Sequence, residues 1–353
     1  MASVLILYAE PLGYTIALAE EFANMGHQVE MVYWDTKKLA PFKPFSDKVR
    51  LTPRSTVNRR QLTEMVARSA PDLLLVSGWM DGGYLSASFS LRKASTARVV
   101  LFDDQWIGTA RQRLGSFAAR AGALRPFFTH AAASGPRQFE YARRFGFDIK
   151  QICLNWLSSD TNKFHTNFSV TDNNGGRSGR VLFVGRFSEE KGIHVLARGW
   201  EEFVADFPDW KLDAVGAGPL EAALRGTKNV VVHPYKTAEG IRRLAETVDF
   251  AVVPSLRDQW GVVVHEFTSL GLPLVASAAV GSADELLIPG FNGFKFETGD
   301  THGLGVALRR MARLSDREMV SFSQNSALLA GKFSPTIGAH ALLATLPESS
   351  NGQ

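Results

Sequence analysis

Residues 3–9 read Ser-Val-Leu-Ile-Leu-Tyr-Ala, an apolar run of strand length without polar alternation. A strand that is apolar on both sides must be covered on both faces. The run passes through Glu-Pro-Leu-Gly13 into a helical pattern ending near Gly26, and residues 27–33 return to strand character. Residues 73–77 and 98–102 are further strands of the buried type, each followed by a loop and a helix. This alternation predicts an α/β fold, a parallel sheet with helices on both faces.

Residues 171–179 (Thr-Asp-Asn-Asn-Gly-Gly-Arg-Ser-Gly) read as a linker, after which the pattern restarts. Strands are expected at 180–184, 211–215, 229–233, 250–253 and 274–276. Helices are expected near 191–206, 219–224, 237–247, 263–270, 282–287 and 301–314. The expectation is two doubly wound, Rossmann-like domains facing across a cleft, covering 1–170 and 180–325. Ligands of such sheets bind beyond the C-terminal strand ends. The tail after about residue 347 reads as disordered.

A hydrophobic content of 45% with 21% charged residues fits a soluble globular protein. No apolar run reaches the roughly 18 residues of a membrane span, and no signal peptide is read at the N-terminus. The expected location is cytoplasmic. A single cysteine, Cys153, excludes an internal disulfide and fits a structural role in a reducing compartment. Residues 1–165 carry a net charge of +7 and residues 166–353 a net of −3. The basic half suits an anionic partner or is simply a soluble surface. Zinc spacing and RNP-type motifs are missing, so nucleic acid is not expected as a partner.

Two pieces carry chemistry. The first is Val181-Leu-Phe-Val-Gly-Arg186-Phe-Ser-Glu-Glu-Lys191-Gly192. A strand ends at Gly185, and Arg186 and Lys191 flank the entry to the next helix, where free N–H groups favour an anion. Arg binds phosphate oxygens bidentately and Lys adds a point charge, so a leaving diphosphate would be stabilised there. The competing reading is a surface ion pair with Glu189 or Glu190. Val215-Gly216-Ala-Gly218 is a second glycine turn, equally a close approach to ligand and an ordinary tight turn.

The second piece is Pro254-Ser255-Leu-Arg-Asp258-Gln-Trp-Gly261-Val-Val-Val-His-Glu266. Two carboxylates are separated by seven residues, with a glycine where loop becomes helix. Asp258 in the loop would accept hydrogen bonds from sugar hydroxyls, and Glu266 from a ribose diol; the competing reading is a charge at a helix start and an ordinary helix Glu. The amides of Gly261, Val262 and Val263 would face an anion.

These stretches, together with Gly271-Leu-Pro-Leu-Val-Ala-Ser and Gly290-Phe-Asn-Gly-Phe, resemble the retaining GT-B glycosyltransferases of glycosyltransferase family 4 (glycosyl transferases group 1) over about residues 180–320. The resemblance implies a GT-B fold with the donor on the second domain and the acceptor on the first. It implies Arg186 and Lys191 on the donor diphosphate, Asp258 on the transferred sugar and Glu266 on the ribose. Gly13, Gly185, Gly216, Gly218 and Ser255 join the donor set, with Tyr235 bordering the base. Transfer would retain configuration without a metal or other cofactor, the nucleotide-sugar being a substrate. No Asp-x-Asp occurs in the chain, which removes the commonest metal–diphosphate motif. The family's closing helix returns to the first domain, here expected over 326–346. Asp258 stands where the family usually has Glu, and Trp260 where it usually has Phe, which bears on donor identity.

The first domain offers Tyr14, Trp79, Asp81, Asp104 and Trp106 beyond its strands as acceptor-binding candidates. Carboxylates beside aromatics suit sugars, and Asp81 or Asp104 would serve as acceptor base; the competing reading is that Asp103 and Asp104 cap the following turn or helix. His130 and His165 read as structural. The stretch 111–128 mixes Arg with Leu and Phe and has no acid. It is either a membrane-surface helix serving a lipid-linked acceptor at the cytoplasmic face of the inner membrane or an amphipathic helix packed on its own domain. The expected activity is transfer of a sugar to a saccharide or lipid-linked glycan, as in bacterial polysaccharide or lipopolysaccharide synthesis. The alternatives are a degenerate sugar-binding scaffold, or an epimerase or hydrolase on the same fold.

Overall fold

A computed structural model describes residues 1–9, 11–36, 43–165 and 177–347. The chain divides into two compact units, 1–160 with 333–353, and 161–332. Most of the expected linker, residues 171–176, and the tail from residue 348 lie outside the described residues.

The first unit runs β1 (Ser3–Tyr8), α1 (Gly13–Asn24), β2 (Gln28–Tyr33), β3 (Arg50–Pro53), α2 (Arg59–Ser69), β4 (Leu73–Val76), α3 (Gly82–Ser90), β5 (Ala97–Phe102), α4 (Ala110–Ala118), β6 (His130–Ala133), α5 (Pro136–Arg144) and β7 (Ile152–Leu154). Its seven strands are all parallel, in the order β3-β2-β1-β4-β5-β6-β7. The central strands are buried along their length, which is why they read as unbroken apolar runs. Helix starts follow local chemistry: Asn58 caps α2 and exchanges hydrogen bonds with Gln61, both at 2.9 Å.

The second unit runs α6 (Thr161–Phe164), β8 (Arg180–Val184), α7 (Ile193–Asp206), β9 (Lys211–Val215), α8 (Glu221–Arg225), β10 (Val230–His233), α9 (Ala238–Ala245), β11 (Phe250–Val253), α10 (Val262–Ser269), β12 (Leu274–Ser277), α11 (Ala283–Leu286), β13 (Gly293–Phe296), α12 (Thr301–Arg313) and α13 (Asp316–Ala330). Its sheet is parallel in the order β10-β9-β8-β11-β12-β13. Strand order reverses between β8 and β11, so the loops leaving these two neighbours diverge at a switch point. The core beneath joins Phe183, Phe187 and Trp200 to Phe250 and Leu304.

Two expectations are corrected. The single helix over 326–346 is broken: α13 ends at Ala330, and α14 (Pro335–Leu343) starts afresh behind a Ser334 cap with Pro335 in its first turn. Strands β3, β6, β7 and β13 escaped the sequence reading. They are three or four residues long, and β6 is His-Ala-Ala-Ala, whose strand state comes from its neighbours in the sheet and not from β propensity.

Candidate functional site

The site in the second unit is built where β8 and β11 end. Beyond β8 a short 3₁₀ turn, Glu189–Lys191, leads to Gly192 and α7. Gly192 has φ +70°, and a Cβ there would stand 2.0 Å from the Pro254 carbonyl oxygen. The Glu190 carbonyl accepts hydrogen bonds from Leu256 N at 2.9 Å and Arg257 N at 3.0 Å. The loops after β8 and β11 are thus locked backbone to backbone, and only glycine allows the approach.

This lock brings Lys191 to Asp258. The ammonium lies 2.8 Å from Asp258 Oδ2, and Ser255 Oγ donates to the same oxygen at 3.1 Å. Asp258 is 6% exposed. A carboxylate at that depth needs its cation and hydroxyl partner to offset desolvation. The Asp258 carbonyl accepts from Gly281 N at 3.1 Å, and the Gly261 carbonyl from Ser282 Oγ at 2.9 Å. Residues 258–261 therefore rest on 280–282.

Gly261, at φ +80°, starts α10 with no side-chain cap; Val264 N turns back onto the Gly261 carbonyl at 3.0 Å, and the N–H groups of Val262 and Val263 are the ones left without acceptors in the helix. Val262 and Val263 occupy that turn. Glu266 lies one turn further on, on the same face as Val262, and is half-buried. His265 between them faces inward: Nε2 is 3.0 Å from the Ala330 carbonyl, and burial pushes the ring down to about 4. It is a neutral packing residue.

Arg186 pairs with Glu190 at 3.2 Å on the surface, the competing reading of the sequence. Gly185 N bonds the Val215 carbonyl at 3.0 Å. Gly216 and Gly218 need no ligand to explain them: Cβ atoms there would stand 2.0 Å from the Gly185 carbonyl oxygen and 2.4 Å from that of Phe187. Their smallness serves loop-on-loop packing. Tyr235, beyond β10, is 52% exposed at the same end of the sheet. Sequence reasoning missed Asp213, fully buried on β9. It receives Arg180 at 2.9 and 2.7 Å and stands 2.8 Å from His233 Nε2. Its only signal was a charge inside an apolar strand.

In the first unit the candidates separate. Gly13 and Tyr14 open α1 instead of lying in a free loop, and a Cβ on Gly13 would meet nothing within 4 Å. Asp81 caps α3 through Gly83 N at 2.6 Å and also accepts from Trp34 Nε1 at 2.9 Å and Arg54 Nε at 3.1 Å. Burial works to raise its carboxyl, but the hydrogen bonds from Trp34, Arg54 and Gly83 outweigh it and hold the group below the usual range. Asp81 is a structural anchor and a poor proton acceptor.

Trp79 stacks on Phe145 with ring centres 5.1 Å apart, and Trp106 lies edge-on to Tyr141 at 5.8 Å. Both are half-buried walls of the domain and not free sugar platforms. Asp104 is exposed and accepts from Gln105 N at 2.9 Å. Its neighbour Asp103, beyond β5, is the other residue read from the sequence as a cap, and it too is exposed. Desolvation among surrounding protein atoms pushes its carboxyl up to about 6, and Asp104 adds to the shift, while the residue's exposed surface lets solvent screen part of both effects. Burial pushes the Cys153 thiol up to about 12, which makes it unreactive.

Two parallel-sheet Rossmann-like domains, the second with its polar cluster at the switch point, define the GT-B class of fold. Residues 178–313, within the second unit, match the family model of glycosyl transferases group 1. Sulfoquinovosyl transferase of Arabidopsis thaliana is 32% identical over 146 residues, 39% of this chain and 27% of that protein. The chain spans about a third of the length of the curated relatives it matches, from 27% to 42%. Among solved structures, HepE of Anabaena in complex with UDP superposes with a TM-score of 0.72 at 15% identity, covering 97% of this chain and 99% of that one. WaaG, a glycosyltransferase involved in lipopolysaccharide biosynthesis, gives 0.70 at 14% identity, covering 98% and 100%. Among the described residues no helix is long and apolar enough to cross a membrane.

Proposed function

We propose that this chain is a retaining, metal-independent glycosyltransferase that moves a sugar from a nucleotide-sugar to a hydroxyl of a saccharide or lipid-linked glycan in bacterial polysaccharide or lipopolysaccharide synthesis. The observation that carries this reading is the Lys191–Asp258–Ser255 cluster beside the uncapped start of α10, with Glu266 one turn further on. A cation, a carboxylate, free helix amides and a second carboxylate occur together at one switch point. That set answers the parts of a nucleotide-sugar: diphosphate, sugar hydroxyls and ribose diol.

In this reading the diphosphate takes Lys191 from Asp258 and Arg186 from Glu190. Asp258, relieved of its cation, accepts from a hydroxyl of the transferred sugar. Glu266 accepts from the ribose, and Tyr235 borders the base. The bond from the anomeric carbon to the diphosphate oxygen breaks, and the acceptor oxygen bonds the same face of that carbon. The acceptor's proton passes to the departing diphosphate, so no separate base is required. Lys191 and the α10 amides stabilise charge that grows as the bond breaks, which lowers the barrier more than it tightens binding. The strand-end loops of the first unit, with Tyr14 and Asp104, are assigned to the acceptor. Uridine nucleotides are the first donors to try, by analogy with HepE.

The test is thermal shift with UDP, GDP, ADP and their sugar conjugates, with and without EDTA, on wild type and Lys191→Ala. One nucleotide should raise the melting temperature, unaffected by EDTA, and lose that effect in the variant. No shift with any nucleotide in folded protein would overturn the reading and favour a degenerate sugar-binding scaffold.

A further inference from the structure

α4 buries none of its nine residues. Leu114 and Phe117, three apart and therefore on one face, are 74% and 76% exposed. Met80 and Ile107, from the loops after β4 and β5, are also exposed, and the Arg111 guanidinium reaches Met80 Sδ at 3.9 Å, which sets Met80 beside the first turn. The helical period puts Arg113 and Arg111 on the two margins of the Leu114–Phe117 stripe. Arg120 and Arg125 follow in the turn and loop beyond, both exposed. No acidic residue occurs from Gln105 to Phe139. None of these four arginines has a carboxylate partner among the described residues.

The opposite side of α4 fixes its orientation. Gly115 lies over the Phe145 ring, which a Cβ would approach to 3.4 Å. Thr109 caps the helix through Gln112 N at 3.2 Å. Gln112 ties it to the preceding loop through Ile107 N, Gly108 N and the Gln105 carbonyl. Small and polar residues hold the helix down, while its large apolar residues point outward.

We propose that α4 and its flanking loops dock on an anionic lipid bilayer. Leu114 and Phe117 enter the boundary between headgroups and acyl chains, with Met80 and Ile107 beside them. Arg111, Arg113, Arg120 and Arg125 take the anionic headgroups. A single outward-facing helix with an apolar stripe between arginines, in a segment without acids from Gln105 to Phe139, complements a flat, fluid, negative surface. The inference stands apart from the donor-site reading, and it would set the chain where lipid-linked acceptors reside.

The experiment is flotation of the full chain with vesicles of phosphatidylcholine alone and with phosphatidylglycerol added, at low and high salt. Wild type should float only with the anionic vesicles, and less at high salt. Leu114→Glu/Phe117→Glu should weaken binding at least about tenfold with an unchanged melting temperature, since neither side chain is buried. Arg111→Gln/Arg113→Gln should flatten the salt dependence and serves as the second variant if the first folds poorly. Failure of wild type to float, or equal flotation of the Leu114/Phe117 variant, would overturn the proposal. So would wild-type self-association that the same variant abolishes without any vesicle binding, which would make a second copy the occupant.

Discussion

The Lys191 ammonium lies 2.8 Å from the Asp258 carboxylate, although the two residues are 67 apart in sequence. They meet because their strands are neighbours at the switch point and because Gly192 lets one loop rest on the other. Removing Lys191 leaves Asp258 buried with only the Ser255 hydroxyl. Lys191→Ala should destabilise the fold by about 3 kcal/mol and lower kcat by roughly 10²–10³. Chemical denaturation and steady-state kinetics measure the two effects. A stability loss with unaltered kcat would confine Lys191 to a structural role.

Gly192→Ala should cost at least about 2 kcal/mol, because left-handed backbone and a backbone collision act together. Gly13→Ala supplies the contrast. A Cβ on Gly13 meets open space at the first turn of α1, so the variant should keep wild-type stability or gain up to about 1 kcal/mol. If Gly13 approaches the donor, the same variant raises donor KM. Urea unfolding and donor titration separate the two glycines.

Asp213, fully buried on β9, holds the half-buried Arg180 and His233 from the flanking strands β8 and β10. Asp213→Ala would strand Arg180 and should destabilise by about 3–5 kcal/mol. The same change at exposed Glu239, paired with Arg243 along α9, should cost under about 1 kcal/mol. Unfolding midpoints of the two variants check the contrast.

Two groups give opposite pH signatures. His265 is pushed down to about 4 from its ordinary value by burial. Its contribution to stability is full above the unfolded value near 6.5, is lost as pH falls from there through about 4, and amounts to roughly 3 kcal/mol. Asp103 is pushed up to about 6 by desolvation, with Asp104 adding. Its contribution is full below the unfolded value and is lost as pH rises through about 6. Asp103 is exposed, so solvent screens the effect: Asp103→Asn should raise the melting temperature modestly at pH 7 and leave it unchanged near pH 3. Melting curves across that window decide both, and an unchanged profile in Asp103→Asn would remove the assignment.

Much of the fold was readable one segment at a time. Strands 180–184, 211–215 and 250–253 fall where the apolar runs are, because burial of both sheet faces writes itself into consecutive residues. The positions of Lys191, Asp258 and Glu266 at strand ends and a helix start were legible for the same reason: glycines and turn residues mark those places locally. Strands as short as β6 and β7 were not legible, since their neighbours in the sheet hold them.

What no local pattern could supply is which side chains meet. Lys191 faces Asp258 only because β8 lies beside β11. Asp81 is spent on Trp34 and Arg54, which arrive from other loops. Gly216 and Gly218 answer to the loop after β8, and Leu114 and Phe117 are left uncovered by every neighbouring element. Periodicity and turn chemistry act over a few residues and are carried by the sequence. Pairing, burial and the charge state that follows from them depend on strand order and long-range register, and these exist only once the chain has folded.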